Sequence, residues 1–362
     1  MVRPTGAVSR PIQRPDNHAD RPLVVTKYGF VGRDNPVRII QQILSILKTG
    51  VSRAVHGRID IDCHSTARTG SNELSVTLGS SSAIFAHNLA LLGNSVGFSS
   101  CIGDDPFGEI CMKRLSESGV DLSHVRRLPG KTTGLTVIVP QGKQRFILTY
   151  PGAMHEMTDR ELDLSYVLNA KHLHVSSYFL QKGIRPHLAG IFRKAKEAGL
   201  STSLDTNDDP EDRWSGDIDL LLKHVDILLP NEREACRLAQ ADEVERAAQV
   251  LAPKVPVLVI KRGGEGAIAW SGKEKYIAQP PVVDMADSVG AGDSFDAGFI
   301  HQYIRNARIE DCLKFANIAG ALSVTRAGGT EAFRDAKHRQ DFLRKHAVTT
   351  GAVPRPSASS TR

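Results

Sequence analysis

Within the 362 residues, the stretch Asp287-Ser-Val-Gly-Ala-Gly-Asp-Ser-Phe295 combines groups that can do chemistry on an anion. Gly290 and Gly292 permit a tight backbone turn, and the first N–H groups of a helix starting there lack partners inside it. Those amides, with the roughly half a positive charge of a helix N-terminus, make a hole for an anion such as a phosphoryl group in transfer. Asp293 stands at the mouth of that hole, where its carboxylate can take the proton of a hydroxyl attacking the phosphorus. The plainer alternative is a turn with an aspartate N-cap. A second stretch, Pro230-Asn-Glu-Arg-Glu234, sets Asn231 and Glu234 three apart on a nascent helix. Their oxygens suit a hydrated magnesium ion near nucleotide phosphates, reached directly or through water; the alternative is an ordinary capping box.

Both stretches need elements to hold them. Short β-branched runs predict strands over 74–78, 95–101, 135–139, 146–150, 172–175, 201–204, 226–229 and 257–261. Helices are expected over 82–92, 106–117, 185–198, 232–239, 290–306 and 309–326. Strand, crossover helix, strand is the order that parallel pairing demands. It predicts an α/β sheet with helices on both faces and ligands at the carboxyl ends of its strands. Residues 135–150 differ, being two strands joined by Pro140-Gln-Gly-Lys143 without a helix, which predicts a hairpin in a smaller sheet. A short β-like run at 281–284 precedes the Asp287 stretch.

Composition bounds the function. The formal charge is +6, and residues 1–72 hold eleven basic against five acidic side chains, so the whole surplus lies there. The remainder is balanced, which argues against a nucleic-acid-binding face. A 41% hydrophobic content is ordinary for a globular protein, no window suits a membrane span, and no signal core opens the chain. Five scattered cysteines without a C-x-x-C fit reduced thiols, and a cytoplasmic location is expected. Residues 1–22, with four prolines, read as a disordered arm; Asp16 and Asp20 count against a mitochondrial presequence. The end from 349 onward reads as a flexible tail.

Taken together, Asp287 to Phe295 and Asn231 to Glu234 resemble the D-T-x-G-A-G-D and N-x-x-E motifs of the ribokinase-like (phosphofructokinase-B) carbohydrate kinases. Gly103-Asp-Asp-Pro-Phe-Gly108, Gly119-Val-Asp121, Lys131-Thr-Thr-Gly134, Asp205-Thr-Asn207 and the run from Ala316 to Thr325 match in the same order, over about residues 73 to 335. The resemblance implies a ribokinase-like three-layer α/β sandwich with a small β lid, and ATP-dependent phosphorylation of a hydroxyl on a small sugar or sugar acid. Residues 57–340 would be the kinase domain, with lid segments around 62–79 and 133–150, and 1–56 an atypical extension. Asp293 would be the base, and Gly290, Ala291 and Gly292 the anion hole. Asn231 and Glu234 would serve magnesium and phosphates, Glu234 through water; Lys261, Gly263 and Gly266 would form the nucleotide loop, with Asn317 bordering adenine. Asp287 and Ser323 match positions near a monovalent-cation site, K+ in many members. Asp205 and Asn207 fall on the substrate side, and lid-mediated homodimers are common among relatives. Nucleoside kinases of the same family, and a non-catalytic sugar or nucleotide sensor, are the alternatives.

The sequence also departs from the family pattern. Ser288 replaces threonine, and the usual Gly-Gly and Asn of the sugar segment here read Gly79-Ser-Ser-Ser-Ala-Ile84. Sugar hydroxyls would therefore meet Ser80, Ser81 and Ser82, or these residues simply cap a helix. Asp62, in Gly57-Arg-Ile-Asp-Ile-Asp62, is the candidate for the family's sugar-binding aspartate, only 17 residues before Gly79. Ser176, Ser177 and Tyr178 end a strand where they can line the sugar pocket, against a packed rim as the alternative. Gly264-Glu-Gly266 imitates a dinucleotide fingerprint but lies between two β-like runs, so a hairpin turn is expected. His172 and His174 share a strand face without a third metal ligand, and Asp104-Asp105 and Asp208-Asp209 read as turns or helix starts.

Overall fold

The computed structural model describes residues 23–26, 74–141, 144–214 and 217–347. Asp62, the expected arm and the tail lie outside them. The chain divides into two compact units, and the larger includes Val76–Val137 and Ile147–Arg362. No helix among the described residues is long and apolar enough to cross a membrane.

In chain order the elements begin with β1 (Leu23–Thr26), β2 (Leu74–Val76), α1 (Ser81–Leu91), β3 (Ser100–Gly103), α2 (Pro106–Glu117) and β4 (Val125–Leu128). There follow β5 (Leu135–Gln141), β6 (Gln144–Tyr150), α3 (Leu164–Leu168), β7 (His172–Ser176), α4 (Leu188–Glu197), β8 (Ser201–Asp205) and α5 (Ile218–Leu222). Next come β9 (Ile227–Leu228), α6 (Glu232–Ala239), α7 (Val244–Leu251), β10 (Val257–Lys261), β11 (Ala267–Ser271) and β12 (Glu274–Ala278). Four helices complete the described residues: α8 (Ala291–Tyr303), α9 (Ile309–Ser323), α10 (Glu331–Arg334) and α11 (Ala336–Ala347).

The main sheet runs β12-β11-β10-β9-β8-β7. Strands β7 to β10 pair in parallel, whereas β11 and β12 are antiparallel additions. Because successive strand side chains point to opposite faces, the sheet divides its apolar residues between two cores. Ile227, Leu229, Val257 and Val259 pack with Phe85 of α1, Phe295 and Phe299 of α8 and Leu313 of α9. Leu228, Leu258 and Ile260 pack on the other face with Phe192 of α4, Leu221 of α5 and Leu251 of α7. Helices thus cover both faces, giving the expected three-layer α/β sandwich. The parallel strands end along one edge, with Ser176 opposite Asp205 in register and Asn231 bridged to Lys261.

Several expectations need correction. The strand expected over 95–101 begins at Ser100, and β3 pairs in parallel with β4, an element that was not foreseen. Residues 281–284 form no strand; Pro280 and Pro281 remove two donors, and Val282 is wholly exposed. The helix expected from 185 opens as a 3-10 turn, Arg185–His187, around Pro186, and α4 begins at Leu188. Strands β5 and β6 are neighbours in a separate four-stranded sheet, ordered β2-β1-β5-β6, where β1 comes from a stretch to which the sequence assigned no element.

Candidate active site

The start of α8 is shaped by Gly290, its N-cap, at φ 73°. A Cβ there would stand 2.6 Å from the Cα of Gly329, so both the conformation and the close approach require glycine. Asp293 follows in the first turn, buried. Burial drives its carboxyl up to about 6, and the charge of Asp205 adds to this, while Lys261 and the Ser81 hydroxyl oppose it. A buried carboxylate that titrates near neutrality, beside helix-start amides, can accept a hydroxyl proton while an anion is held.

Lys261, at the end of β10, joins the strand edge to α8. Its Nζ donates to Asp205 Oδ2 at 2.9 Å and to the two carboxylate oxygens of Asp296 at 3.2 and 3.3 Å. Both acids are fully buried, whereas Lys261 keeps 12% side-chain exposure. Burial alone would discharge the lysine, but Asp205, Asp296 and Glu234 hold it charged and raise its pKa. Burial likewise pushes Asp205 upward, yet Lys261 and its hydrogen bonds outweigh this and hold it below the ordinary range. Asp296 goes the other way, raised well above that range by burial although Lys261 opposes the shift. A Cβ on Gly292 would lie 3.5 Å from the Lys261 ammonium, which therefore runs alongside the glycine turn.

Neighbouring strand ends extend the network. Asn207, at φ 50°, accepts hydrogen bonds from the amide and hydroxyl of Ser177 at 2.8 and 2.9 Å. It donates its own N–H and side-chain amide to Asp205, both at 3.2 Å. Ser82 and Ser176 share a hydroxyl hydrogen bond of 2.9 Å. Ser80 occupies the N-cap of α1 by position only, since its side chain makes no capping bond. Tyr178 is corrected from the pocket wall to the core: it is 1% exposed, edge-on to Phe179 with centroids 5.0 Å apart. His172 bonds to the hydroxyls of Ser201 and Ser203, and His174 to that of Ser203.

The nucleotide-side candidates are held largely by each other. Asn231 and Glu234 form a complete capping box: Asn231 donates its N–H and amide to the carboxylate at 2.8 and 2.6 Å, and Glu234 N–H donates back to Oδ1. Glu234 is raised to about 7, by burial first and then by Asp205. Among the described residues no group of three His, Cys, Asp or Glu is arranged to hold a metal. Gly263 and Gly266 frame the turn from β10 to β11, and a Cβ at Gly266, φ +86°, would meet Ala278 O at 2.1 Å. Asn317 gives its amide hydrogens to the carbonyls of Ala278 and Leu313 and is buried, so it braces the end of β12. Both oxygens of Asp287 accept backbone amides, from Val289 and Gly328. The buried Ser323 hydroxyl has no hydrogen-bond partner among the described residues.

Three residues escaped the sequence reading. Asp296 lies three after Asp293, a spacing that puts both acids on one helix face and could have flagged it. Asn88, within the apolar run of α1, and Ser294, beside Asp293, carried no signal beyond being polar in buried surroundings.

Known proteins share this architecture. The chain is 32% identical over 256 residues to an ATP-dependent ribose-1-phosphate kinase of Halopiger xanaduensis, spanning 70% of this chain and 82% of that one. It is 29% identical over 242 residues to a cytidine kinase of Thermococcus kodakarensis, spanning 65% and 84%. Arabidopsis thaliana ribokinase, solved with ribose and ATP, superposes with a TM-score of 0.65 at 23% identity over 90% of this chain and 96% of that one. Residues 68–336 match the model of the pfkB family carbohydrate kinases, and over so much of its length the chain belongs to that family.

Proposed function

We propose that the protein transfers the terminal phosphoryl group of ATP to a hydroxyl of a small sugar, with Asp293 as the proton acceptor. The observation that carries this reading is the pairing of a buried, upward-shifted Asp293 with the glycine turn that opens α8. The hydroxyl oxygen attacks the γ-phosphorus, its proton passes to Asp293, and the bond to the ADP oxygen breaks. The amides of Gly290, Ala291 and Gly292 and the adjacent Lys261 ammonium stabilise the charge on the phosphoryl oxygens. Magnesium enters as part of the MgATP substrate, close to Asn231 and Glu234. Ser81, Ser82, Asp205 and Asn207 border the sugar side, and the Gly263 to Gly266 turn borders the nucleotide.

A ribosyl compound is the second reading, favoured by the Halopiger and Thermococcus relatives, whose names specify ribose 1-phosphate and cytidine. A panel of sugars, sugar phosphates and nucleosides assayed for ADP release separates the two. Asp293→Asn is expected to lower turnover by about 10²- to 10⁴-fold while ATP still binds. Undiminished turnover in that variant would sink the mechanism.

A further inference from the structure

We infer that Asn88 is a positioning residue for the phosphoryl-holding turn, clamping it from the side of α1; this rests on the function proposed above. Asn88 is completely buried in α1, a helix whose other core residues are mostly apolar. A buried amide is costly unless each of its groups finds a partner. Here both amide hydrogens are used, one on Ser294 Oγ and one on Gly329 O, each at 2.9 Å, and Oδ1 pairs with His87 Nδ1 at 2.7 Å. Ser294 in turn donates its hydroxyl to Gly290 O at 2.7 Å, the carbonyl that also takes the first amide bond of α8. The chain His87, Asn88, Ser294, Gly290 therefore ends on the backbone of the N-cap itself.

The second branch reaches the same place. Gly329 is the backbone against which Gly290 packs, and Ile84 Cδ1 would lie 2.7 Å from a Cβ on Gly329. Ile84 and Asn88 are four apart, one turn of α1, so they share a face. Ile84 fixes the distance between α1 and the two glycines by packing, and Asn88 fixes their orientation by hydrogen bonds. Gly290 has no side chain with which to cap its own helix, so its carbonyl direction, and with it the aim of the following amides, depends on these outside partners.

Asn88→Leu preserves volume and removes the amide. The expected result is a kcat lower by about 10- to 100-fold, the effect of sub-ångström misplacement at a reacting centre, with KM for ATP and sugar within about threefold of the parent. Ser294→Ala is expected to act in the same direction, and the double variant to lose no more than the worse single change, because the two act through one chain. A purely structural Asn88 would lower Tm while the folded protein kept its kcat in both variants, and that result overturns the inference. If Asn88→Leu does not fold, Ser294→Ala alone decides, and an unchanged kcat there is equally fatal. Asp293→Asn, run alongside, separates the two levels. Turnover lost in Asp293→Asn but intact in Asn88→Leu and Ser294→Ala overturns only the clamp; turnover retained in Asp293→Asn overturns the proposed function and the clamp with it.

Discussion

Asp293 must be charged to accept a proton, and its surroundings oppose that charge. Its pKa of about 6 against an ordinary 3.8 means that the fold gives up about 3 kcal/mol at pH 7 to hold the carboxylate ionised. In exchange the carboxylate is a stronger base, close to the pKa best matched to neutral pH. Asp205 makes the problem worse and Lys261 relieves part of it, so the lysine, the only basic group bonded to Asp205 and Asp296 among the described residues, also tunes the proposed base. In the proposed mechanism the deprotonated form is the active one, so kcat/KM is expected to rise with pH through about 6 and then level off. A pH–rate profile whose acid limb sits near 4, the range of an ordinary carboxylate, would contradict this. The chemistry of Asp293 was legible because Gly-Ala-Gly-Asp is a local pattern. The Asp205, Asp296 and Lys261 triad was not, because its members lie up to 91 positions apart and meet only through the fold.

At the scale of elements, what the sequence displayed depended on how one-sided each burial is. Strand β10 and helices α2 and α6 were readable to the residue, since their apolar runs and their starts, at Pro106 with Asp105 and at Asn231, are strong local signals. Helix α7 buries Ala247, Ala248 and Leu251, a stripe of mostly small side chains that hardly stands out as apolar. Strand β12, at the sheet edge, is largely exposed, and β4 carries two arginines at its centre, so neither alternates cleanly. Helix α1 was read correctly, but not its entry. Ser80 stands at φ 71° and ψ 123°, a backbone conformation that glycine adopts freely and L-residues rarely do. That is the position where related kinases commonly carry their second glycine, and the serine gains no capping bond in return. Ser80→Gly is therefore expected to stabilise the protein by about 1 kcal/mol, read as a Tm rise of about 2 °C in a thermal melt. An unchanged or lower Tm would show that the hydroxyl contributes more than the strain costs.

Over the whole molecule, the +6 surplus belongs to residues 1–72, outside the matched kinase region apart from its first few positions, while the kinase body is balanced in formal charge yet loaded with buried titratable groups. Two sets of them pull on stability in opposite directions. Burial holds His87, His172 and His301 near 4 and His174 near 3, so the folded state refuses protons that the unfolded chain takes up below about 6.5. These groups lower stability as the pH falls. The raised carboxyls act at the other end. Glu234, shifted by burial to about 7, keeps its proton in the fold; the stability this brings is complete below the ordinary value of 4.5 and is lost as the pH rises through 7. Asp293 and Asp296 have the same sign, so the site with which the protein is proposed to act is also the part that weakens it at and above neutral pH. Glu234→Gln isolates one such contribution, because glutamine keeps most of the capping geometry and cannot ionise. Measured by chemical denaturation, the variant is expected to gain on the parent as the pH is raised from 5 to 8, by about 3 kcal/mol over the full shift. A difference between the two proteins that stays constant across that range would mean that Glu234 is not held protonated by the fold and takes no part in weakening it at neutral pH.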